Sequence, residues 1–432
     1  MEEKMSQDES SGDLVAERDS AKIMHSQLKN PESRDWRVAA MIIIVLYGFL
    51  LIGLAGFTGM PAKSALWSMG VPALDHPLMD LRGVAVWCEM FRQGDSPMLH
   101  KGVIDFPGEQ QYQTYLMNYS PVVLGMGWLG LLPMHVLAWG IILTVLYGFS
   151  LWFLAGSSSV RMALIWTLLI CSPCSALVIE RGNLDMLLFA LLVTALLVRK
   201  HPLGASVAIL VAGLIKFFPI GALLVVWREG GKRNRAAVIL AGAIFLVFLF
   251  FLRSRLGLIG TSLTGQYQSA FGCGVVADLF RHYGIIGDGN YDSIRGVLVI
   301  LGVVLLAITG ASGFLTSKTP VRRTLSDRMQ YAFFLSAPFM LGLFVMGNQM
   351  DYKWIFFLLM VPTVLELCDS SDAIESGVSK IWFGGILAYS YWTFFSDEGS
   401  LRNAILKQAV MWVVMGMTAF LAGRLWKKEA TR

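Results

Sequence analysis

Residues 38 to 56 read VAAMIIIVLYGFLLIGLAG, a run from Val38 to Gly56 without a single charged side chain. Crossing a hydrocarbon core of about 30 Å takes roughly 20 residues of helix, and this run has that length. Further apolar runs lie at about 119 to 133, 134 to 155, 160 to 179, 184 to 198, 202 to 227, 236 to 252, 294 to 317, 329 to 346, 352 to 367, 378 to 395 and 402 to 423. Backbone amides in lipid must be satisfied within their own segment, which leaves helices or a closed barrel. Continuous apolarity without period-two alternation excludes the barrel. The expected fold class is an all-α polytopic membrane protein.

Composition agrees. Of 432 residues, 55% are hydrophobic and 15% charged, against about 25% charged in an ordinary soluble domain. The net charge of +5 reflects basic cytoplasmic loops in such a protein and implies no nucleic-acid partner. Cys88, Cys171, Cys174, Cys273 and Cys368 have no framework or metal-ligand spacing and read as packing residues. Residues 1 to 37 are polar and lack the apolar segment of a cleavable signal peptide. They read as a disordered cytoplasmic tail, with the first run as an uncleaved signal anchor. A single transmembrane domain then covers 38 to 424, with long outer loops at 57 to 118 and 253 to 293 and a cytoplasmic tail at 425 to 432.

Two runs are ambiguous. Tyr119 to Pro133 is short and holds Gly125, Gly127 and Gly130, and Pro202 to Trp227 is interrupted by Lys216 and Pro219. Charge bias decides both. Let the first only dip into the outer leaflet, and let the second be two short helices meeting at Lys216. Eighteen basic residues then fall on the inner face, while the short outer loops and adjoining helix ends hold five, namely Arg181, Lys216, Lys353, Arg402 and Lys407. This arrangement has twelve membrane-crossing helices with both termini inside, in a membrane read as the plasma membrane.

That topology gathers the polar residues outside, and ionisable residues converging at membrane depth mark a functional site. Met79-Asp80-Leu81-Arg82 opens a helix that a Gly94-Asp95-Ser96-Pro97 turn ends. Asp80 is either the cap of that helix or a general base at the membrane surface. Arg181 and Asp185 are one turn apart and either pair with each other or leave Arg181 to grip a phosphate. Lys216 interrupts the apolar GLIKFFP stretch of Gly213 to Pro219, where it either snorkels or binds an anion. Lys353 either neutralises Asp351 or joins the site. His76 and His100 share the first loop with Asp75, Asp80, Asp95 and Asp105, but no spacing there supports a metal. Trp128, Trp139, Trp354 and Trp412 lie near run ends and read as interfacial anchors. The chain has no Walker loop, dinucleotide fingerprint or nucleophile elbow.

These motifs resemble a known group. A membrane-proximal Asp80 followed by a helix and a Gly-Asp-Ser-Pro turn, then Tyr119-Ser120-Pro121 opening an apolar segment, resembles the GT-C superfamily of membrane glycosyltransferases. Arg181-Gly182-Asn183 before an apolar helix, together with Gly213 to Pro219, looks like glycosyltransferase family 87, which includes polyprenyl-phosphate-mannose-dependent mannosyltransferases. The resemblance runs from about Val38 to Pro362. It implies a GT-C-like fold and inverting transfer of a hexose, mannose first, to a lipid or glycan acceptor on the extracytoplasmic face, with Asp80 as the catalytic base. Arg82, Arg181, Asn183, Asp185, Lys216, Asp351 and Lys353 are then the candidate substrate contacts. The sequence departs from the family at Arg181-Gly182-Asn183, which replaces a Gln-containing form, and lacks a histidine between Asn348 and Lys353.

A lipid-linked donor also suits the topology, because nucleotide sugars are cytoplasmic and too polar to cross the bilayer. A polyprenyl phosphate keeps its tail among membrane lipids and its phosphate at the interface. No cofactor is required. The alternatives are a transporter or flippase, for which a second broken helix in a repeated half is lacking, and a non-catalytic envelope-assembly factor.

Overall fold

The runs fold into helices whose ends fall where the sequence places prolines, glycines and caps. The computed structural model describes residues 43–44, 47–48, 66, 70–71, 77–97, 103–104, 112–113, 117, 119–155, 160–253, 270–317, 325–346, 349–392 and 400–426. The tails at 1–37 and 427–432, nearly all of the first run, Asp75, His76, His100, Asp105 and Asn348 lie outside the described residues.

In chain order the helices are α1 (Met79–Arg92), α2 (Val136–Ala155), α3 (Val160–Ile170), α4 (Pro173–Arg181), α5 (Asp185–Leu197), α6 (Pro202–Ile215), α7 (Leu223–Arg228), α8 (Lys232–Leu252), α9 (Val275–His282), α10 (Asp288–Thr316), α11 (Asp327–Met346), α12 (Val361–Cys368), α13 (Ala373–Ser390) and α14 (Leu401–Trp426). Among them lie 3-10 helices, including Pro121–Gly127, Phe218–Ala222 and Asp351–Leu359. Two antiparallel ribbons, absent from the all-α expectation, pair β1 (Val103–Ile104) with β2 (Tyr112–Gln113) and β3 (Ala270–Phe271) with β4 (Gln349–Met350).

Among the described residues, five helices are long and apolar enough to cross a membrane, or six if α3 and α4 count as one bent span. Their outward side chains are apolar, with Phe251 76% and Leu315 74% exposed. A soluble monomer rarely leaves so large a contiguous apolar surface to water, so the protein is membrane-embedded.

Several runs are shorter or more broken than their apolarity suggests. The run from 160 to 179 bends by 50° between α3 and α4, because Ser172 caps a new helix by accepting from the Ser175 amide and Pro173 occupies its first turn. The thirteen residues of α5 rise only about 20 Å. The run from 119 to 133 contains a seven-residue 3-10 helix, which at about 2 Å per residue is too short to span. The run from 352 to 367 is a 3-10 helix followed by α12. It is also the centre of the core: Trp354 through Val361 are fully buried. Phe356 meets Phe189 of α5, Phe218 and Phe339 of α11 at ring-centroid distances of 6.4, 5.7 and 5.2 Å. Trp354 is therefore a core residue and not an interfacial anchor, whereas Trp128 is 78% exposed. The five cysteines are thiols, none in a disulfide, and all but the half-buried Cys171 are buried.

Glycines set the closest helix contact. A Cβ on Gly313 of α10 would lie 2.0 Å from the Phe420 carbonyl oxygen of α14, and one on Gly423 would lie 2.0 Å from the Gly310 oxygen. Small residues let the two backbones touch. Gly302 meets Trp412, Gly310 meets Ala419 and Gly313 meets Phe420, so residue numbers rise together and the helices run parallel. By contrast α13 is antiparallel to α14, with Trp382 donating to Thr418 and Glu375 paired with Arg424.

These pairings sort the bundle into two ends. At one, Arg228 donates to Gln330 and to the Leu425 carbonyl, Arg424 pairs with Asp372 and Glu375, and Phe334 packs on Trp426. At the other, Lys407 and Tyr389 meet at Asp351.

Candidate functional site

Asp80 stands in the first turn of α1, but it is not the helix cap. The residue before the helix is Leu78, whose φ of 60° and ψ of 30° are left-handed, the one such non-glycine among the described residues. This conformation costs an L-residue about 1–2 kcal/mol. Packing holds it: the Leu78 amide donates to the Glu180 carbonyl at 2.6 Å, and its side chain sits where Cβ atoms on Gly140 and Gly182 would be, at 2.7 and 3.0 Å. The start of α1 is thereby seated on α2 and the end of α4, and Asp80 is aimed at Asn183.

The Arg181-Gly182-Asn183 turn has a local cause. Gly182, at φ 60°, closes α4 in a left-handed cap. Its amide donates to Ile179 and the Asn183 amide to Val178, the paired bonds of a Schellman ending. Asn183 then opens α5, its Oδ1 accepting from the Asp185 amide at 2.9 Å. The same oxygen accepts from Lys216 Nζ at 2.9 Å. On the other side, Asn183 Nδ2 donates to Asp80 Oδ2 at 2.5 Å and to the Tyr119 hydroxyl at 3.4 Å. Two donors on one side and an acceptor on the other fix which way this buried amide points.

Lys216 arrives from the opposite helix because α6 ends at Ile215 and Lys216 itself is extended, at φ −137° and ψ 127°. A 3-10 turn starting at Phe218, with Pro219 in its first turn, then folds back so tightly that a Cβ on Gly213 would lie 3.2 Å from Ile220. The Lys216 ammonium bonds Asp185 Oδ1 at 2.8 Å and lies 4.5 Å from the Tyr119 ring centroid. Asp185 is fully buried, and its Oδ2 has no hydrogen-bond partner among the described residues. Burial pushes the half-buried Asp80 carboxyl above its ordinary 3.8, against the pull of Arg181, the Asn183 amide and Lys216, while Asp185 adds to the rise.

Asp80, Asn183, Asp185 and Lys216 thus form one bonded cluster. Arg181 borders it, paired with Glu180 at 3.2 Å and acting on Asp80. Lys353 reaches the same place, its ammonium 5.1 Å from the Phe218 ring centroid and within the field of Asp185 and Lys216. The alternatives at these positions resolve differently from their spacing: Asp185 takes Lys216, and Asp351 takes Lys407 and the Tyr389 hydroxyl. Asp351 therefore stands in a second buried cluster. Arg82 is bound to the Pro77 carbonyl at 2.9 Å on the exposed side of α1.

Known proteins offer no guide. The chain matches no protein-family model, no curated protein and no solved structure.

Three contributors escape a reading by motif. Tyr119 registers only as the opening of an apolar segment, yet its ring and hydroxyl complete the cluster. Leu78 carries no chemical signature and Glu180 acts through its backbone carbonyl, so only contact reveals that they seat Asp80. The usable signal was the glycine in Arg181-Gly182-Asn183, since a glycine between two polar residues at a helix end marks a tight approach. Chemically, the cluster presents one carboxylate with a raised proton affinity in the company of Arg181, Lys216 and Lys353. Asn183 engages Asp80 through one carboxylate oxygen, Oδ2.

Proposed function

We propose that the protein is a GT-C-like membrane glycosyltransferase that moves a hexose, mannose first, from a polyprenyl-phosphate donor to a lipid or glycan acceptor on the extracytoplasmic face. The observation that carries this reading is Asp80. It lies at the membrane-proximal start of a helix, its position dictated by Asn183, in a cluster with Arg181, Lys216 and Lys353. In the proposed step, an acceptor hydroxyl oxygen attacks the anomeric carbon from the face opposite the phosphate, and Asp80 Oδ1 takes the hydroxyl proton. The bond from the anomeric carbon to the phosphate oxygen breaks with inversion. Polyprenyl phosphate leaves with one more negative charge than it had in the donor, so nearby cations favour the transition state over the ground state.

Topology supports the same face. The bundle end holding Arg228, Arg424 and Arg328 is the basic end and suits the cytoplasm, and the Asp80 cluster belongs to the other. Twelve crossings, with the short helix α5 largely buried and α6 exposing Leu203, Val207 and Val211 on one face, remain part of this proposal. So does the plasma membrane as the location.

The experiment is purified protein in lipid vesicles with radiolabelled polyprenyl-phosphate mannose and a membrane-lipid acceptor pool. Transfer of label to the acceptor fraction supports the enzyme. Movement of the intact donor across the vesicle without transfer makes the protein a flippase instead.

A further inference from the structure

The second buried cluster is centred two residues from Lys353, and its geometry connects it to the first. Lys407 and Gln408 are neighbours on α14. Lys407 donates to Asp351 Oδ2, and Gln408 Nε2 donates to the Ala270 carbonyl at 2.7 Å. Ala270 on β3 faces Met350 on β4, the residue before Asp351. One turn of α14 therefore grips β3 and the residue that follows β4, and the Tyr389 hydroxyl of α13 holds the other Asp351 oxygen. The side chains of Asp351, Tyr389, Lys407 and Gln408 are all buried.

For stability alone such an arrangement is poorly suited. Removing a carboxylate and an ammonium from water costs more than their attraction readily returns, and well-packed apolar residues do as well or better. What a buried pair does supply is a fixed relative position. Asp351 begins a nine-residue 3-10 helix, a conformation whose weaker hydrogen bonding seldom sustains more than 3–4 residues and which therefore depends on outside support. Lys353 is two residues beyond Asp351, and its ammonium lies over Phe218 in the field of Asp185 and Lys216. A shift of Asp351 moves that ammonium with it.

We infer that Lys407 is a positioning residue: through Asp351 it sets where Lys353 stands in the Asp80 cluster, and so where a donor phosphate is held. The last part of this rests on the transferase reading; the placement of Lys353 does not. The same contacts make α14 part of the site, although nothing on that helix touches Asp80 in the described contacts.

The test is amine labelling of folded, detergent-purified protein with a water-soluble acylating reagent, read at each lysine by mass spectrometry. Wild type is compared with Lys407→Met, Lys407→Arg and Gln408→Leu. The last variant guards against a folding failure, because Gln408 Oε1 is buried without a partner among the described residues and leucine removes that orphaned oxygen. The labelling rate at Lys353 is expected to change about threefold or more in Lys407→Met and in the same direction in Gln408→Leu. It should return toward wild type in Lys407→Arg, with Lys380 on α13 unaffected throughout. An unchanged Lys353 rate in Gln408→Leu, or in Lys407→Met that folds, overturns the inference.

A second arm measures donor KM and kcat. The Lys407 variant should raise KM for polyprenyl-phosphate mannose in wild type but change little further in a Lys353→Gln background. Effects that multiply would place the action of Lys407 elsewhere. If wild type transfers no sugar while Lys353 labelling responds as stated, the transferase reading fails and the positioning role stands.

Discussion

Asp80 and Asn183 share a hydrogen bond whose direction is forced, since the Asp185 amide and Lys216 occupy the Asn183 oxygen and leave its NH₂ group for the carboxylate. The charge state of Asp80 then has two opposite consequences for pH. As the proposed base it would work only ionised, so transfer should fall as pH drops through its pKa. Because burial raises that pKa above 3.8, the loss should begin at a higher pH than for an exposed aspartate. A pH profile of kcat/KM checks this, and an acid limb at or below 3.8 would count against it. Stability runs the other way. A carboxyl whose folded pKa lies above its unfolded value loses stabilisation as pH rises from the unfolded value through the folded one. Asp80→Asn should therefore melt at or above the wild-type temperature at neutral pH, and a clear drop in melting temperature would show that the ionised carboxylate is needed for the fold.

At the scale of elements, turns and close approaches decide where the side chains of the proposed site stand. Gly182 combines a positive φ with close neighbours in Leu78 and Leu81, each 3.0 Å from where a Cβ would stand. Gly182→Ala should destabilise by about 1–3 kcal/mol and loosen Asp80 with it, measured as a lower melting temperature together with lower transfer. Between α10 and α14, Gly313→Ala would collide with a backbone oxygen, whereas Gly296→Ala meets nothing within 4 Å. The first should cost about 1–3 kcal/mol and the second should be neutral or slightly stabilising; equal effects in a denaturation series would refute the close parallel contact. Parts of this level were legible in sequence. The break at Lys216 and Pro219 was, because a charge and a proline both oppose an apolar helix. The bend at Ser172-Pro173 used an equally plain cap signal, but continuous apolarity hid it. The 3-10 form of Asp351–Leu359 had no signal at all, since tertiary packing against α5 and α11 imposes it.

For the molecule as a whole, apolar run length and composition sufficed for an embedded, mostly helical protein, because the hydrocarbon core dictates both. Among the described residues, several runs are shorter or more broken than continuous apolarity suggests, since a helix buried among others need not be as long as the bilayer is thick. Of the proposed site, Asp80, Asn183, Asp185 and Lys216 were visible as ionisable or amide groups in apolar surroundings, whereas their partners were not: pairing crosses helices, and local spacing suggested Arg181 with Asp185 and Lys353 with Asp351. The proposed sidedness can be checked in whole cells by a membrane-impermeant thiol reagent. A cysteine replacing Arg402, at the start of α14, should label from outside, and one replacing Lys380, on α13, only after permeabilisation. The reverse pattern would invert the topology.

The most direct test of the central claim compares wild type with Asp80→Asn for mannose transfer from a radiolabelled polyprenyl-phosphate donor, after both are shown to fold and to bind the donor equally. Removing a positioned general base should slow transfer by about 10²–10⁴-fold with donor binding retained. Transfer by Asp80→Asn at the wild-type rate would contradict the account, because the proton of the attacking hydroxyl would then have gone elsewhere.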